Sequence, residues 1–175
     1  NAPSVLYTFG FNWDGTSPNI GFYKSTDAGK TWSSFATVLR DRNITYFDIS
    51  DNGEVIYAVD EMMILKSTDS GETWSEYDLH SSGYALSVFP GDSEKLLFTR
   101  VDGVYLSEDG LLTEIKVLDV KGRHPSDIAI APSDSNVVYA IDVGYDVYKS
   151  VDGGRTFTKI VNLREDVFNK TFVKR

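Results

Sequence analysis

Short apolar runs separated by polar turn clusters recur along the whole chain. The runs have the length of a β-strand, as at residues 55–59, 96–99 and 137–141. Turn clusters rich in Ser, Asp, Asn, Gly and Pro precede them, at residues 50–53, 90–93 and 132–135. Near-continuous apolar runs are typical of strands covered on both faces, and no segment shows a convincing helical period. The pattern therefore predicts an all-β protein.

A short motif returns along the chain at a near-constant spacing. Its copies begin at Ser25, Ser67, Ser107 and Ser150, which are 42, 40 and 43 residues apart. Three copies read Ser-x-Asp-x-Gly-x-Thr followed by an aromatic residue. The third copy has Leu111 in place of the Gly and Glu114 in place of the aromatic residue. The motif residues are Ser25, Asp27, Gly29, Thr31, Trp32, Ser67, Asp69, Gly71, Thr73, Trp74, Ser107, Asp109, Ser150, Asp152, Gly154, Thr156 and Phe157.

Each copy of the motif occupies the same place in a larger unit. The unit reads strand A, turn, strand B, loop, strand C, motif turn and strand D. A period of about 40 residues with four short strands is typical of the blades of a β-propeller. We expect blade 1 at about residues 1–40, blade 2 at 41–81, blade 3 at 82–122, blade 4 at 123–163, and a C-terminal strand at 164–175.

The motif resembles the Asp-box, or BNR repeat, of sialidases, family 74 glycoside hydrolases, Vps10/sortilin domains and photosystem II assembly factors of the Ycf48 type. Residues 128–157 most resemble blades of the family 74 hydrolases. The resemblance covers nearly the whole chain and implies a β-propeller, with the motif turn on the face away from the ligand. Because unrelated activities share this motif, it predicts the fold and not the function.

The motif residues themselves are expected to be structural. Short polar side chains hold turns by bonding nearby backbone groups, glycine supplies conformations that a Cβ opposes, and the aromatic residues are expected to pack under the turn. An active site occurs once in a protein, whereas these residues recur in every unit. Because the third copy lacks the Gly and the aromatic residue, we expect its turn to be remodelled or looser.

The number of blades raises the question of closure. Blade 1 begins at strand B, and residues 166–174 are a candidate for its strand A, which would close a four-bladed ring. The Asp-box families usually have six or more blades. We therefore favour a portion of a larger propeller, paired with its remaining blades or with another copy, because open sheet edges invite association.

Charge and composition narrow the class of partner. Lys and Arg number 17 against 26 Asp and Glu, a net charge of −9, which argues against nucleic acid and anionic membranes. Cysteine is absent and no metal-ligand spacing occurs, so we expect neither a metal nor a cofactor. Sequons at Asn43 and Asn169 would accept glycans in a secretory setting. We expect a secreted or cell-surface protein without a membrane-inserted segment.

A functional site is expected on the face opposite the motif turns, where the B–C and D–A loops gather. Each B–C loop carries an acidic residue, and the first loop, residues 9–19, is predicted to be much the longest. The D–A loops carry basic residues and both histidines, His80 and His124, for which plain exposure is the simplest expectation. The candidate ligand-binding residues are Trp13, Tyr145, Arg42 and Arg123, and the candidate catalytic carboxylates are Asp14, Asp60, Glu61, Asp102 and Asp146.

Two functions are compatible with these residues. The first is a non-enzymatic module that recognises a protein or a glycan through the loop face, since aromatic rings beside carboxylates suit sugar rings. The second is a glycoside hydrolase resembling family 74 and acting on β-glucan, or a fragment of one, which needs two carboxyl groups flanking the scissile bond. In that family the active site lies between two propellers, and this chain has at most one. A sialidase is disfavoured because no Arg-Ile-Pro occurs, and a Ycf48-like role because of the acidic net charge.

Overall fold

The computed structural model describes residues 5–13, 18–39 and 42–168. These residues form four antiparallel sheets with almost no helix, so the all-β prediction is confirmed. In each sheet the strands lie side by side in chain order. This up-and-down order follows from the short turns between apolar runs, because antiparallel neighbours need only a hairpin connection.

The four sheets are called blades 1 to 4. Blade 1 contains β1 (Leu6–Trp13), β2 (Pro18–Ser25) and β3 (Ser33–Phe35). Blade 2 contains β4 (Ile44–Ile49), β5 (Ile56–Asp60), β6 (Met63–Ser67) and β7 (Ser75–Asp78). Blade 3 contains β8 (Leu86–Phe89), β9 (Asp92–Arg100), β10 (Gly103–Ser107) and β11 (Ile115–Asp119). Blade 4 contains β12 (Pro125–Ile130), β13 (Val138–Asp142), β14 (Asp146–Ser150) and β15 (Thr158–Asn162).

The hydrophobic core lies between the blades. One cluster of buried side chains joins blades 1 and 2, a second joins blades 2 and 3, and a third joins blades 3 and 4. The middle cluster includes the fully buried Tyr57 and Ile64 of blade 2 with Leu86 and Phe98 of blade 3. Both faces of a middle blade are therefore apolar, which explains the near-continuous apolar runs of its strands.

The first hairpin corrects the prediction of a long loop at residues 9–19. Strands β1 and β2 pair continuously from Leu6 opposite Ser25 to Trp13 opposite Pro18. Aromatic residues alternate with small or polar residues from Phe9 to Trp13, and this period of two extends the strand. The connection is consequently the four positions 14–17, and Asp14 lies outside the described residues.

The segment that follows β15 also departs from the prediction. Residues Leu163–Phe168 form a single π-helical turn, so the start of the segment predicted as a strand at 164–175 is helical. Asp166 accepts a hydrogen bond from the backbone N–H of Asn162, which ties this turn to the end of β15. Residues 169–175 lie outside the described residues, as does the sequon residue Asn169.

A second short helical element, a 3-10 turn, spans Thr37–Leu39 before blade 2.

Candidate functional site

The repeated serines and aspartates bond within their own turns. In the second copy Ser67 Oγ accepts the N–H of Gly71 at 2.8 Å and donates to Asp69 at 2.7 Å. The other oxygen of Asp69 accepts the hydroxyl of Thr73 at 2.5 Å. The first and fourth copies have the same bonds. Both carboxylate oxygens are therefore occupied inside the turn.

These bonds fix the charge state of the aspartates. The hydroxyl and N–H of Thr73 are the main cause that lowers the pKa of Asp69 to about 2. The corresponding threonine lowers the pKa of Asp27 to about 2 and the pKa of Asp152 still further. Donors aimed at a carboxylate favour its ionised form. The turn aspartates are thus ionised near neutral pH and already engaged by the fold.

The third copy keeps the same turn, which corrects the expectation of a remodelled one. Leu111 adopts a φ of 77° in the position where the other copies have glycine, and its N–H donates to Ser107 Oγ at 2.9 Å. Asp109 accepts both the N–H and the hydroxyl of Thr113. The left-handed conformation costs about 1–2 kcal/mol. Leu111 is only 5% exposed in the cluster between blades 2 and 3, and this burial offsets the strain.

In the third copy, Glu114 stands where the other copies have an aromatic residue, and its side chain forms an ion pair. Its carboxylate lies 2.6 Å from the guanidinium of Arg100 and accepts the hydroxyl of Tyr77 in blade 2 at 3.0 Å. The Arg100 guanidinium lies 4.4 Å from the centre of the Tyr105 ring. Polar side chains therefore join blades 2 and 3 at the position where the other copies have an aromatic residue.

Most of the loop-face carboxylates are paired within their own blade. Arg42 bonds Asp60 at 3.1 Å and also pairs with Glu76. In blade 4, Arg123 lies 3.0 Å from Asp146 and 3.6 Å from the buried Asp142. The D–A loops and the B–C turns therefore meet on one face, and their opposite charges neutralise each other there.

The remaining candidate carboxylates are also engaged. Glu61 accepts the side-chain amide of Asn43, the first sequon residue, which is exposed. Asp102 lies 2.8 Å from the Lys116 ammonium, which lowers the pKa of Asp102 below its ordinary value. Burial alone would raise the pKa of Asp146, but bonds from Lys159 and Asn162 and the Lys159 and Arg123 charges lower it on balance.

The structure describes the side chain of Tyr145, whereas for Trp13 it describes only the place in the strand. Tyr145 forms the tip of the B–C turn of blade 4, with a φ of 65° and an exposed side chain. Trp13 is the last residue of β1. Met62, Val101 and Val143 are exposed at B–C turns as well. The B–C turns thus present apolar side chains above the paired charges.

The loop face has a cleft that was not predicted from the sequence. It has a volume of about 400 Å³ and opens between the B–C turn of blade 2 and the D–A loop that enters blade 3. Its lining residues are Thr45, Glu61, Met62, Ser82, Gly83 and Tyr84. Met62 is 48% exposed there, and Gly83 donates its N–H to the carbonyl of Glu61 at 2.9 Å.

The D–A loop that lines the cleft departs from the repeat. Three residues after the buried Leu39 and Val120, blades 2 and 4 have Arg42 and Arg123. Three residues after the equivalent Leu79, the D–A loop of blade 3 has Ser82. The arginines pair with the acidic B–C turns of their own blades, whereas Ser82 lines the cleft.

Three buried polar atoms have no hydrogen-bond partner among the described residues, namely Ser81 Oγ, Arg100 Nε and His124 Nδ1. Ser81 directly precedes Ser82 of the cleft lining. His124 is half-buried and stacks on Tyr84 with 4.2 Å between the ring centres, so the expectation of a plainly exposed histidine was wrong. Buried polar groups are normally bonded, so these three atoms are exceptions in the described part of the chain.

Within residues 5–13, 18–39 and 42–168, no group of three or more His, Asp or Glu side chains is arranged to hold a metal ion. No helix in this part of the chain is long and apolar enough to cross a membrane.

Antiparallel four-stranded sheets packed against one another through interblade cores are blades of a β-propeller. A scan against protein-family models finds no matching family, and a search of the curated proteins finds no match. Solved structures do match. The GH74 enzyme of Niastella koreensis has a TM-score of 0.62 and 20% identity over 87% of this chain and 30% of its own. The GH74 xyloglucanase of Xanthomonas campestris has a TM-score of 0.61 and 17% identity over 91% of this chain and 30% of its own.

The likeness extends beyond the GH74 enzymes. YCF48 of Cyanidioschyzon merolae has a TM-score of 0.60 and 15% identity over 82% of this chain and 55% of its own. The chain therefore spans about a third of the GH74 enzymes and about half of YCF48. These likenesses confirm the predicted GH74-like or Ycf48-type propeller fold, and at such identities they describe the fold alone.

Proposed function

We propose that this chain is a non-enzymatic binding module of a secreted or cell-surface protein that recognises a protein or a glycan through its loop face. The observation that carries the proposal is the combination of paired charges with an open apolar cleft. Asp60, Asp102 and Asp146 each have a cation at 3.1 Å or less. The exposed side chain of Met62 lines the cleft, two residues after Asp60.

The electrostatics of the loop face favour binding over hydrolysis. A glycoside hydrolase needs one carboxyl group whose pKa is raised, so that it can protonate the leaving oxygen. The pKa values of Asp102 and Asp146 are lowered instead. Asp60 and Glu61 are held by Arg42 and Asn43. The described candidates therefore resemble structural ion pairs more than an acid and its nucleophile.

The alternative function is a hydrolase of the GH74 type, or a fragment of one, acting on β-glucan. It is supported only by the likeness in fold to GH74 enzymes, of which this chain spans about a third. In this alternative the chain contributes part of a glycan-binding surface and catalysis needs residues beyond it.

One pair of assays separates the two functions. The chain is tested for retention in gels containing xyloglucan or mixed-linkage β-glucan and for release of reducing sugar, and for binding across a glycan array. We expect no sugar release. Sugar release that Asp102→Asn and Asp146→Asn both abolish would overturn the binding module and support the hydrolase.

The cleft is tested by a matched pair of variants. Met62→Asp places a charge in the cleft, whereas Leu112→Asp makes the same change at an 85% exposed site on the repeat-turn face. We expect Met62→Asp to weaken binding of any retained glycan or array ligand at least about tenfold, the effect of one contact worth 1.4 kcal/mol. Leu112→Asp is expected to bind as the unmodified chain does. Equal binding by both variants would exclude the cleft from recognition.

A further inference from the structure

Three blades carry a lysine over a tyrosine at equivalent positions. The lysine Nζ lies 5.3 Å from the ring centre for Lys24 over Tyr7, 5.5 Å for Lys66 over Tyr57 and 5.6 Å for Lys149 over Tyr139. In each blade the tyrosine and the lysine are directly opposite on neighbouring strands. The same residues therefore occupy the same face of blades 1, 2 and 4.

In blade 2 this face is an interface with the next blade. Tyr57 is fully buried and its hydroxyl donates to the carbonyl of Ser93 in blade 3 at 2.9 Å. Lys66 forms an ion pair with Glu94 of blade 3 at 2.8 Å. Val59 and Ile64, on the same face, belong to the cluster between blades 2 and 3. The lysine–tyrosine face is thus the side with which a blade contacts its successor.

Blade 1 uses the same face in the same way. Tyr7 packs edge-on against Phe35, and its hydroxyl contacts the position where a Cβ of Gly53 in blade 2 would lie. Gly53 precedes Val55 by the same interval as Ser93 precedes Lys95, so the two tyrosines approach equivalent turns. Two independent blades therefore show what this face contacts.

The equivalent face of blade 4 is uncovered in the described part of the chain. Tyr139 is 38% exposed, whereas Tyr57 is fully buried. Ile141 and Val147 stand where Val59 and Ile64 stand in blade 2, but they are only half-buried. None of the three interblade clusters of described residues includes Tyr139, Ile141 or Val147.

The opposite end of the molecule carries part of the other half of such an interface, namely the repeat turn and strand C of blade 1. The aromatic residues after the repeat turns contact the preceding blade, because Trp74 packs in the cluster between blades 1 and 2 and Phe157 in the cluster between blades 3 and 4. Their equivalent in blade 1, Trp32, is 44% exposed. Tyr23, which corresponds to the buried Leu65, is exposed on the same face.

We propose that the outer face of blade 4 docks against the outer face of blade 1 in a second copy of this chain, head to tail. Tyr139, Ile141 and Val147 then take the place of Tyr57, Val59 and Ile64, and Trp32 takes the place of Trp74. The contact joins two different surfaces, so it is heterologous, and two copies close a ring when the rotation between them permits. The proposal concerns the sheet faces and is independent of ligand binding at the loop face.

The net charge predicts how salt affects this association. Each copy carries a formal charge of −9, so two copies repel each other at low ionic strength. Salt screens charges separated by more than about 10 Å at 0.1 M ionic strength. The apolar contact itself does not depend on this screening. We therefore expect association to strengthen as sodium chloride is raised.

The mass in solution tests the proposal directly. Sedimentation equilibrium from low to several hundred micromolar protein is expected to show a species of two 19.5 kDa chains that dissociates on dilution. Val147→Lys is expected to weaken the association at least tenfold. Val151→Lys is the matched control, since it makes the same change at a 69% exposed position in the repeat turn of the same blade. A chain that stays monomeric at every concentration, or equal masses for the two variants, would overturn the proposal.

A mixing experiment distinguishes a head-to-tail contact from a face-to-face one. Tyr23→Lys alters blade 1 and Val147→Lys alters blade 4, so each alone is expected to associate weakly. In a mixture, the unaltered blade 4 of the Tyr23→Lys variant can contact the unaltered blade 1 of the Val147→Lys variant. The mixture is therefore expected to associate more strongly than either variant alone. If Tyr23→Lys associates as strongly as the unmodified chain, blade 1 is not part of the contact. Blade 4 of one copy then contacts blade 4 of the other, and the head-to-tail contact is wrong.

Hydrogen exchange tests the same surfaces without any substitution. In the unmodified chain, raising the protein concentration is expected to slow exchange in β2, β13 and β14. Strand β6, which lies within the molecule, is expected to be unaffected. Unchanged exchange in β13 and β14 across the range in which the mass changes would contradict the proposed surface.

Discussion

The aspartates of the repeat turns are half-buried, and their carboxylates are hydrogen-bonded within the turn. Asp69 holds the serine hydroxyl before it and the threonine after it, and the N–H groups of the turn complete the set. Only the ionised carboxylate accepts all of these bonds, because protonation converts one acceptor into a donor. The charge on these residues is therefore part of the turn and is not available for chemistry.

Acid is expected to destabilise the fold through these aspartates. The pKa of Asp69 falls from an ordinary 3.8 to about 2 on folding. A pKa lowered in the folded state gives stability that is complete above about pH 4 and is lost as the pH falls through about 2. Urea unfolding at successive pH values should show this loss, and Asp69→Asn should be less stable near neutral pH but show a shallower decline between pH 4 and 2. Parallel declines would contradict the role of Asp69.

The ion pair of Glu114 provides a second prediction for single residues. Glu114→Ala leaves the poorly exposed Arg100 without its carboxylate, and we expect a loss of about 1–3 kcal/mol in the free energy of unfolding. Glu108→Ala is the control, because Glu108 is well exposed and its pairs with Lys95 and Arg155 are expected to contribute less than about 1 kcal/mol. Denaturant unfolding of the two variants measures both values. Equal losses would show that Glu114 is no more than a surface charge.

At the scale of the element, each repeat turn joins strand C to strand D, and the turns of blades 2, 3 and 4 also contact the preceding blade. The Trp74 indole donates to the carbonyl of Gly71 in its own turn at 3.1 Å, while its ring packs in the cluster between blades 1 and 2. Phe157 packs at the equivalent place in blade 4 without that hydrogen bond donor. The aromatic ring is therefore the shared feature, and the indole N–H is an addition.

This comparison predicts the effects of two substitutions at one position. Trp74→Ala is expected to lower the free energy of unfolding by about 3 kcal/mol, since it leaves a cavity at the interblade cluster. Trp74→Phe keeps a ring and loses one hydrogen bond, so we expect a loss of about 1 kcal/mol. Thermal or denaturant unfolding measures both. If the two variants are equally stable, ring packing at this site contributes little.

The strands were predictable from the sequence because their signal is local. The apolar runs and turn clusters place β5, β9 and β13 in the order in which the structure has them. The extent of the β1–β2 hairpin was not predicted, although Phe9 and Phe22 are paired across it. The two rings also contact Phe47 of blade 2. Those contacts join blade 1 to blade 2, so the sequence of blade 1 by itself does not show them.

At the scale of the whole molecule, stability is distributed over three interblade clusters. The blades in the middle have a neighbour on each face, whereas blades 1 and 4 each have one described neighbour. Local opening requires less energy where fewer buried contacts are broken. The molecule is therefore expected to be most protected at its centre and least protected at its ends.

Hydrogen exchange at low protein concentration tests this gradient. We expect the amides of β5 and β9 to exchange most slowly, because both strands are central in blades that are covered on two faces. The amides of β1 and β13 are expected to exchange sooner. Uniform protection from β1 to β13 would indicate that the whole chain opens as one cooperative unit.

The sequence by itself determined the repeat, the all-β class and the separation of the motif turns from the loop face. It could do so because strand periodicity and turn chemistry depend on residues within a few positions of one another. The same locality explains why the third turn was misjudged. Its missing glycine is a local change, but the burial of Leu111 that offsets the strain comes from the contact between blades 2 and 3.

Only the tertiary structure decided which side chains meet across blades and loops. Arg42 bonds a carboxylate 18 residues away, and Tyr77 bonds one 37 residues away. The cleft at Ser82 forms between the B–C turn of blade 2 and the D–A loop that enters blade 3, so its lining comes from two units. Such features depend on how the units pack, since neighbouring blades bring together residues about one repeat apart that no local pattern connects.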